Sequence, residues 1–203
     1  EFSLLQRVRE HLEKERPLRE LDLDPNEKKR LRGFMFLSEK PILYVLNARE
    51  QEAPELERLE QRYPLGGRPN TAVTAVCGQV EAEIAELSEE EAGEYRASYG
   101  LKDSGLERLV RATYHLMGFL SFFTVSEEEC RAWTLRRGQT ALEAAATVHS
   151  DFAQHFIRAE VVGWRDLLAA GSLAAARDRG LLRLEGKDYP VQDGQVIYIR
   201  HSG

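Results

Sequence analysis

The stretch that most narrows the choice of fold is residues 140–163, where a capped apolar helix runs directly into a hydrophobic strand. Thr140 and Glu143 stand in capping-box register: the hydroxyl takes a free amide of the first turn and the carboxylate reaches back. Leu142, Ala145, Ala146, Val148 and His149 are then expected on one buried helix face. Residues 156–162 alternate in part with period two, as a half-buried strand does. Two further runs, 121–125 and 130–136, have hairpin spacing, and a short run at 181–185 follows Gly180. Residues 189–192, an Asp193-Gly194 turn and residues 195–200 read as a closing hairpin. Strands, one helix and more strands predict a ubiquitin-like β-grasp, an α+β arrangement in which a sheet packs on a single helix.

Upstream the pattern changes class. Residues 41–47 are nearly all apolar, as expected of a strand buried on both faces of an α/β sheet. A helical pattern over 54–63, a Gly66-Gly67 turn and a second apolar strand at 71–76 complete the strand–helix–strand unit of a parallel sheet. The loops at 47–50 and 77–79 then fall at the carboxyl ends of strands, where such sheets bind ligands. Capping boxes are expected at Ser88 with Glu91 and at Ser104 with Glu107. The second opens a helix whose Leu106, Leu109, Val110, Thr113, Leu116 and Met117 should face the core, ending at Gly118. At the front, Phe2, Leu5, Val8 and Leu12 give a one-faced helix that stops before Pro17. Asp24-Pro25-Asn26-Glu27 caps a short basic helix ending near Gly33. The fold class is therefore α/β plus α+β.

Composition limits the function classes. With 203 residues, 42% hydrophobic and 31% charged, the chain can bury one large core or two small ones. It has no run approaching the roughly 18 uncharged apolar residues of a membrane span, so no membrane partner is expected. The N-terminus lacks a signal-peptide pattern and a starting Met, which predicts a fragment of a longer protein. The two cysteines, Cys77 and Cys130, lie far apart, consistent with reduced thiols in a cytoplasmic protein. The five histidines form neither an HExxH helix nor a knuckle spacing, so no metal held by protein alone is expected. Residues 38–117 carry a net charge of −6, against +1 before and −1 after them. Any contact with RNA must therefore be local rather than spread over a basic surface.

Two short loops are candidate binding elements. Asn47 can donate and accept through its amide and Glu50 can only accept, a pair able to hold a purine base. Cys77, Gly78 and Gln79 either supply backbone amides to the same base or form a plain strand-to-helix turn. Trp133, Trp164, Phe122 and Phe123 are either core or stacking platforms for RNA bases. His149 and Asp151 read as polar helix-end groups. No catalytic residue is assigned, because no Gly-x-x-x-x-Gly-Lys-Ser/Thr loop is present to cradle phosphates.

Residues 40–50, 80–87, 131–135, 149–152, 156–161 and 184–189 together resemble the Obg-like ATPases of the YchF type. The likeness runs through nearly the whole chain, while Arg49, the Gly78-Gln79 pair and the tail 200–203 depart from the commonest family residues. The resemblance implies a P-loop nucleotide domain, an inserted α-helical coiled-coil hairpin and a C-terminal TGS domain of β-grasp fold. On that plan residues 1–37 are the second hairpin arm, 38–117 the later half of the nucleotide domain and 118–203 the TGS domain. It further implies preference for ATP over GTP through an Asn-x-x-Glu loop. Base recognition then falls on Asn47 and Glu50, with Cys77, Gly78 and Gln79 as the second base-contacting loop. ATP and Mg²⁺ would be the cofactors of the complete protein, bound weakly at most by these residues alone. The ribosome or RNA would be the partner, through the TGS domain and hairpin. A non-enzymatic TGS adaptor is the alternative.

Overall fold

The structure, a computed structural model, describes residues 2–126 and 129–202. The chain divides between Met117 and Gly118 into two compact units.

In the first unit, α1 (Phe2–Glu13) and α2 (Pro25–Leu31) gather around Leu4, Val8, Leu18, Leu23 and Leu31. The Asp24 cap forms as expected: its Oδ1 accepts from the Asn26 and Glu27 amides at 2.7 and 2.9 Å, and Glu27 reaches back to the Asp24 amide. The buried face of α1 is the expected one only in part. Val8 is buried and Leu5 packs against the cluster as expected, but Leu4 joins them and Phe2 and Leu12 are exposed.

Strands β1 (Ile42–Asn47) and β2 (Thr71–Val76) pair in parallel, from Ile42 opposite Thr71 to Asn47 opposite Val76. A 3₁₀ segment and α3 (Leu56–Arg62) connect them. Helices α4 (Gly78–Ile84), α5 (Glu89–Ser98) and α6 (Gly105–Met117) follow, with α6 against both strands and α3 against β2. The free edge of β2 is plugged by side chains. The Ala75 N–H donates to Glu60 Oε1 at 2.7 Å, and the Ala75 carbonyl accepts from Arg108 Nε at 3.0 Å. Arg108 Nη2 also donates to Glu60 at 2.5 Å.

One expectation fails in this unit and another holds only in part. No residue of β1 is buried, and Val45 is 45% exposed: among the described residues β1 has a partner strand on one side only. The expected core face of α6 divides: Leu106, 70% exposed, Val110, Thr113 and Met117 are exposed, whereas Leu109 and Leu116 turn partly inward as expected, with Ala112. The Arg108 anchor on β2 fixes that rotation.

The second unit opens with Gly118 at φ +64°, in the left-handed conformation that ends a helix. Strands β3 (Phe119–Val125) and β4 (Cys130–Arg136) pair antiparallel as expected. Helices α7 (Ala141–Val148) and α8 (Ser150–Gln154), strand β5 (Phe156–Gly163), helices α9 (Trp164–Ala170) and α10 (Leu173–Asp178), and strands β6 (Arg183–Glu185) and β7 (Gln195–His201) complete it. The sheet order is β4-β3-β7-β5-β6, with β7 parallel to β3 and antiparallel to β5.

The capping box at Thr140 forms: the Thr140 N–H donates to Glu143 at 2.8 Å, and the Glu143 amide donates back to Thr140 Oγ1. The face of α7 turned to the sheet is Ala141, Ala144 and Ala145, with Val148 packed alongside, while Ala146 and His149 are exposed. Small residues win that position because they let the helix backbone approach Phe122, Val161 and Ile197 closely. The closing hairpin is also corrected. Residues 189–192 form a single bridge, Thr140 with Pro190, and strap the start of α7 through Ala141 and Val191 amides. Pro190 has no N–H to continue a ladder, so β7 finds its partners in β5 and β3 instead.

Candidate functional site

Parallel pairing sets Asn47 beside Val76, so the loops leaving β1 and β2 start level with each other. Three contacts fix them. The Ala48 N–H donates to the Val76 carbonyl at 2.8 Å, and the Gly78 N–H donates to Asn47 Oδ1 at 3.0 Å. The Arg49 N–H donates to Glu52, holding the turn that carries Glu50. Position 78 has little room: a Cβ there would stand 3.1 Å from Asn47 Oδ1. Asn47 is exposed and has its acceptor engaged, so its amide N–H₂ remains the outward donor.

Glu50 is half-buried, and its Oε1 accepts from Tyr99 Oη at 2.8 Å, which leaves Oε2 as an acceptor at the loop surface. Tyr95 Oη lies 3.5 Å from Tyr99 Oη and donates to Glu83, which also accepts from Gln79 Nε2 at 3.4 Å. A polar chain thus joins the two loops from behind, through Gln79, Glu83, Tyr95, Tyr99 and Glu50. The phenol of Tyr99 is held well above its ordinary pKa by the bond with Tyr95 and then by Glu50, and Tyr95 is raised chiefly by Glu83. Neither tyrosine was singled out from the sequence. Their i,i+4 spacing on the helix capped by Ser88 was the available signal.

Gly78 and Gln79 are exposed, whereas the Cys77 side chain is buried among Ala53, Val80, Ile84 and Ala92. Cys77 can thus offer a ligand only its backbone. In the second unit, His149 caps α8, its Nδ1 accepting from the Asp151 amide at 3.2 Å, as its helix-end position suggested. Phe122 is core; Trp133 is half-buried, with its indole N–H donating to Thr124 at 2.9 Å and Arg131 lying over its ring at 4.3 Å. Trp164 begins α9 and is partly exposed. Among the described residues no cluster of three His, Cys, Asp or Glu could hold a metal ion, and no helix is long and apolar enough to cross a membrane.

The YchF-GTPase_C family profile, described as "Protein of unknown function (DUF933)", matches residues 119–202. The Ribosome-binding ATPase YchF of Bacillus subtilis is 42% identical over 207 aligned residues, covering all of this chain and 56% of the relative. Residues 119–202 match the YchF C-terminal family, and the chain is similar to YchF proteins along its whole length. The YchF relative from Escherichia coli O157:H7 is 38% identical over 197 residues, 97% of this chain and 54% of its own length. Among solved structures, the Schizosaccharomyces pombe YchF GTPase superposes with a TM-score of 0.80 at 25% identity, over 98% of this chain and 53% of that one. The chain spans about half the length of the YchF proteins it matches.

Proposed function

We propose that this chain supplies the base-reading part of a cytoplasmic, ribosome-associated YchF ATPase. In this reading residues 1–37 are the second arm of a helical hairpin and residues 38–117 the later half of a P-loop nucleotide domain. Residues 118–203 are then a TGS β-grasp domain. Asn47 and Glu50 face the adenine edge, and Cys77, Gly78 and Gln79 close over it from the second loop with backbone groups. The observation that carries the reading is the Gly78 N–H to Asn47 Oδ1 bond, which locks the two loops together at adjacent strand ends.

The half-domain reading draws support from the outer edge of β1, which has no strand beside it among the described residues, and from the exposed apolar row Leu106, Val110 and Met117 on α6. A two-stranded sheet with such a helix is what remains when the strands and packing layer of a larger sheet are set aside. A carboxylate at position 50 accepts hydrogen bonds and donates none. The Asn47 amide donor therefore meets the adenine ring nitrogens, while Glu50 meets the exocyclic amine. Phosphate and Mg²⁺ would be held by a loop of the Gly-x-x-x-x-Gly-Lys-Ser/Thr kind that these residues do not contain. The partner assignment rests on the relatives, which are named as ribosome-binding ATPases.

Competition of ATP and GTP against a fluorescent adenine nucleotide tests the site on this chain. Weak binding is expected, because phosphate contacts are missing, with ATP the better competitor and Asn47→Ala abolishing displacement. GTP competing equally well, or Asn47→Ala without effect, overturns the assignment. Cosedimentation with ribosomes tests the partner.

A further inference from the structure

The Glu50 carboxylate faces a ligand with one of its two oxygens already engaged. Tyr99 Oη donates to Oε1 at 2.8 Å, and Oε2 is the acceptor that remains at the loop surface. A phenol carries a single proton, and a carboxylate at 2.8 Å takes it in preference to the neutral Tyr95 hydroxyl at 3.5 Å. Tyr95 gives its own proton to Glu83, so it leaves the bond to Glu50 undisturbed. The Tyr99 ring is fixed independently of that bond. It packs at a tilt on Tyr95, with ring centroids 5.2 Å apart, and both rings lie against the cluster of Ala53, Cys77, Val80, Ile84 and Ala92. Packing thus delivers the hydroxyl to Glu50, in the same cluster that buries Cys77 of the second loop.

The chemistry of the purines gives the engaged oxygen a consequence. Adenine offers a carboxylate one donor group, its exocyclic amine, beside the acceptor N1. Guanine offers two adjacent donors, N1–H and the 2-amino group, and a carboxylate satisfies both only with both of its oxygens. With Oε1 held by Tyr99, Glu50 serves the first arrangement and not the second. A guanine 2-amino group brought to this loop is left without an acceptor, and an unmade bond costs more than a made one contributes.

We propose that Tyr99 is a positioning residue that sets base selectivity: by occupying Glu50 Oε1 it denies guanine its second acceptor and leaves the one oxygen that adenine needs. The inference rests on the base-reading assignment of Asn47 and Glu50, and it moves the choice of base to a residue outside both loops. Tyr99 acts only through the carboxylate.

Proton–nitrogen NMR spectra of the 203-residue chain, titrated with millimolar ATP, GTP and ITP and read at the Glu50 and Gly78 amides, test it. ITP keeps the N1–H of guanine and lacks its 2-amino group. In the unsubstituted chain ATP should bind best and GTP no more tightly than ITP; GTP binding more tightly than ITP overturns the proposal without any variant. Tyr99→Phe keeps the packed ring and frees Oε1. It should strengthen GTP about tenfold relative to ITP, the worth of one hydrogen bond to a charged acceptor, with ATP little changed. Tyr95→Phe removes the neighbouring hydroxyl and leaves the bond from Tyr99 to Glu50, so it should keep the GTP-to-ITP ratio of the unsubstituted chain. Circular-dichroism melts matching that of the unsubstituted chain confirm folding of both variants. An unaltered GTP-to-ITP ratio in Tyr99→Phe, or an equal change in Tyr95→Phe, overturns the role of Tyr99. Asn47→Ala separates this failure from that of the base-reading assignment. If the ATP-induced shift at Gly78 survives Asn47→Ala, or no nucleotide shifts either amide, both readings fall; if the shift depends on Asn47 while the ratio ignores Tyr99, only the inference about Tyr99 falls.

Discussion

The two units solve the burial problem to different degrees. The second encloses Phe122, Val161 and Ile197 completely, between a five-stranded sheet and α7. The first holds two separate apolar clusters, a two-stranded sheet in which no residue of β1 is fully buried, and an α6 that leaves Leu106, Val110 and Met117 exposed. Completeness of a core is thus a property of each unit and cannot be read from the average hydrophobicity of the chain. The largest test of that contrast is Phe122→Ala. It should destabilise the second unit by about 3–5 kcal/mol, raising amide hydrogen exchange in β3, β7 and α7 and leaving β1 and β2 unchanged. Equal acceleration in both units would show that they unfold as one.

The first unit compensates for its thin core with polar anchors. Glu60→Ala leaves the Ala75 N–H and one Arg108 fork without their acceptor and should cost about 1–3 kcal/mol in urea unfolding of that unit. Loss of the Thr140 cap in the second unit should be milder, about 1 kcal/mol for Thr140→Ala by thermal melt. Hydrogen bonds from the Thr140 backbone, Gln139 and the Thr140 hydroxyl hold the Glu143 carboxyl below its ordinary pKa. Its contribution is therefore present above the unfolded value and lost as pH falls through the depressed one.

Alkaline pH sharpens the comparison, because the raised phenols of Tyr95 and Tyr99 both belong to the first unit. Their stabilisation is intact below pH about 10, the ordinary tyrosine value, and is lost as pH rises through the raised values. In an absorbance titration these two should ionise last, and Tyr95→Phe should bring Tyr99 down toward the normal range. The smallest effect is expected at α6: Leu106→Glu should change stability of this chain by no more than about 0.5 kcal/mol, since the side chain has little to lose. A cost several times larger, by thermal melt, would mean that this face is packed.

Local chemistry was legible in the sequence and long-range partnership was not. The caps at Asp24, Ser88, Ser104 and Thr140 form because each needs only residues three positions apart. The order of apolar residues in α1, α6 and α7 announced amphipathic helices. Which row faces inward depended on neighbours distant in sequence, such as Ala75 for α6 and Phe122 for α7. The run at 189–200 carried a correct turn at Asp193-Gly194, where Ser121 of β3 is the partner, but not the insertion of β7 between β3 and β5. At the candidate site the positions of Asn47 and Gly78 followed from strand ends. The tyrosine relay behind Glu50 required α4, α5 and the loop after β1 to converge, which no local pattern encodes.

The side-chain plug on β2 has a geometric corollary. With Glu60 and Arg108 occupying the backbone groups of Ala75, the small parallel sheet can be extended across β1 and not across β2. Sheet growth at this end of the molecule therefore has a direction, written into one glutamate and one arginine.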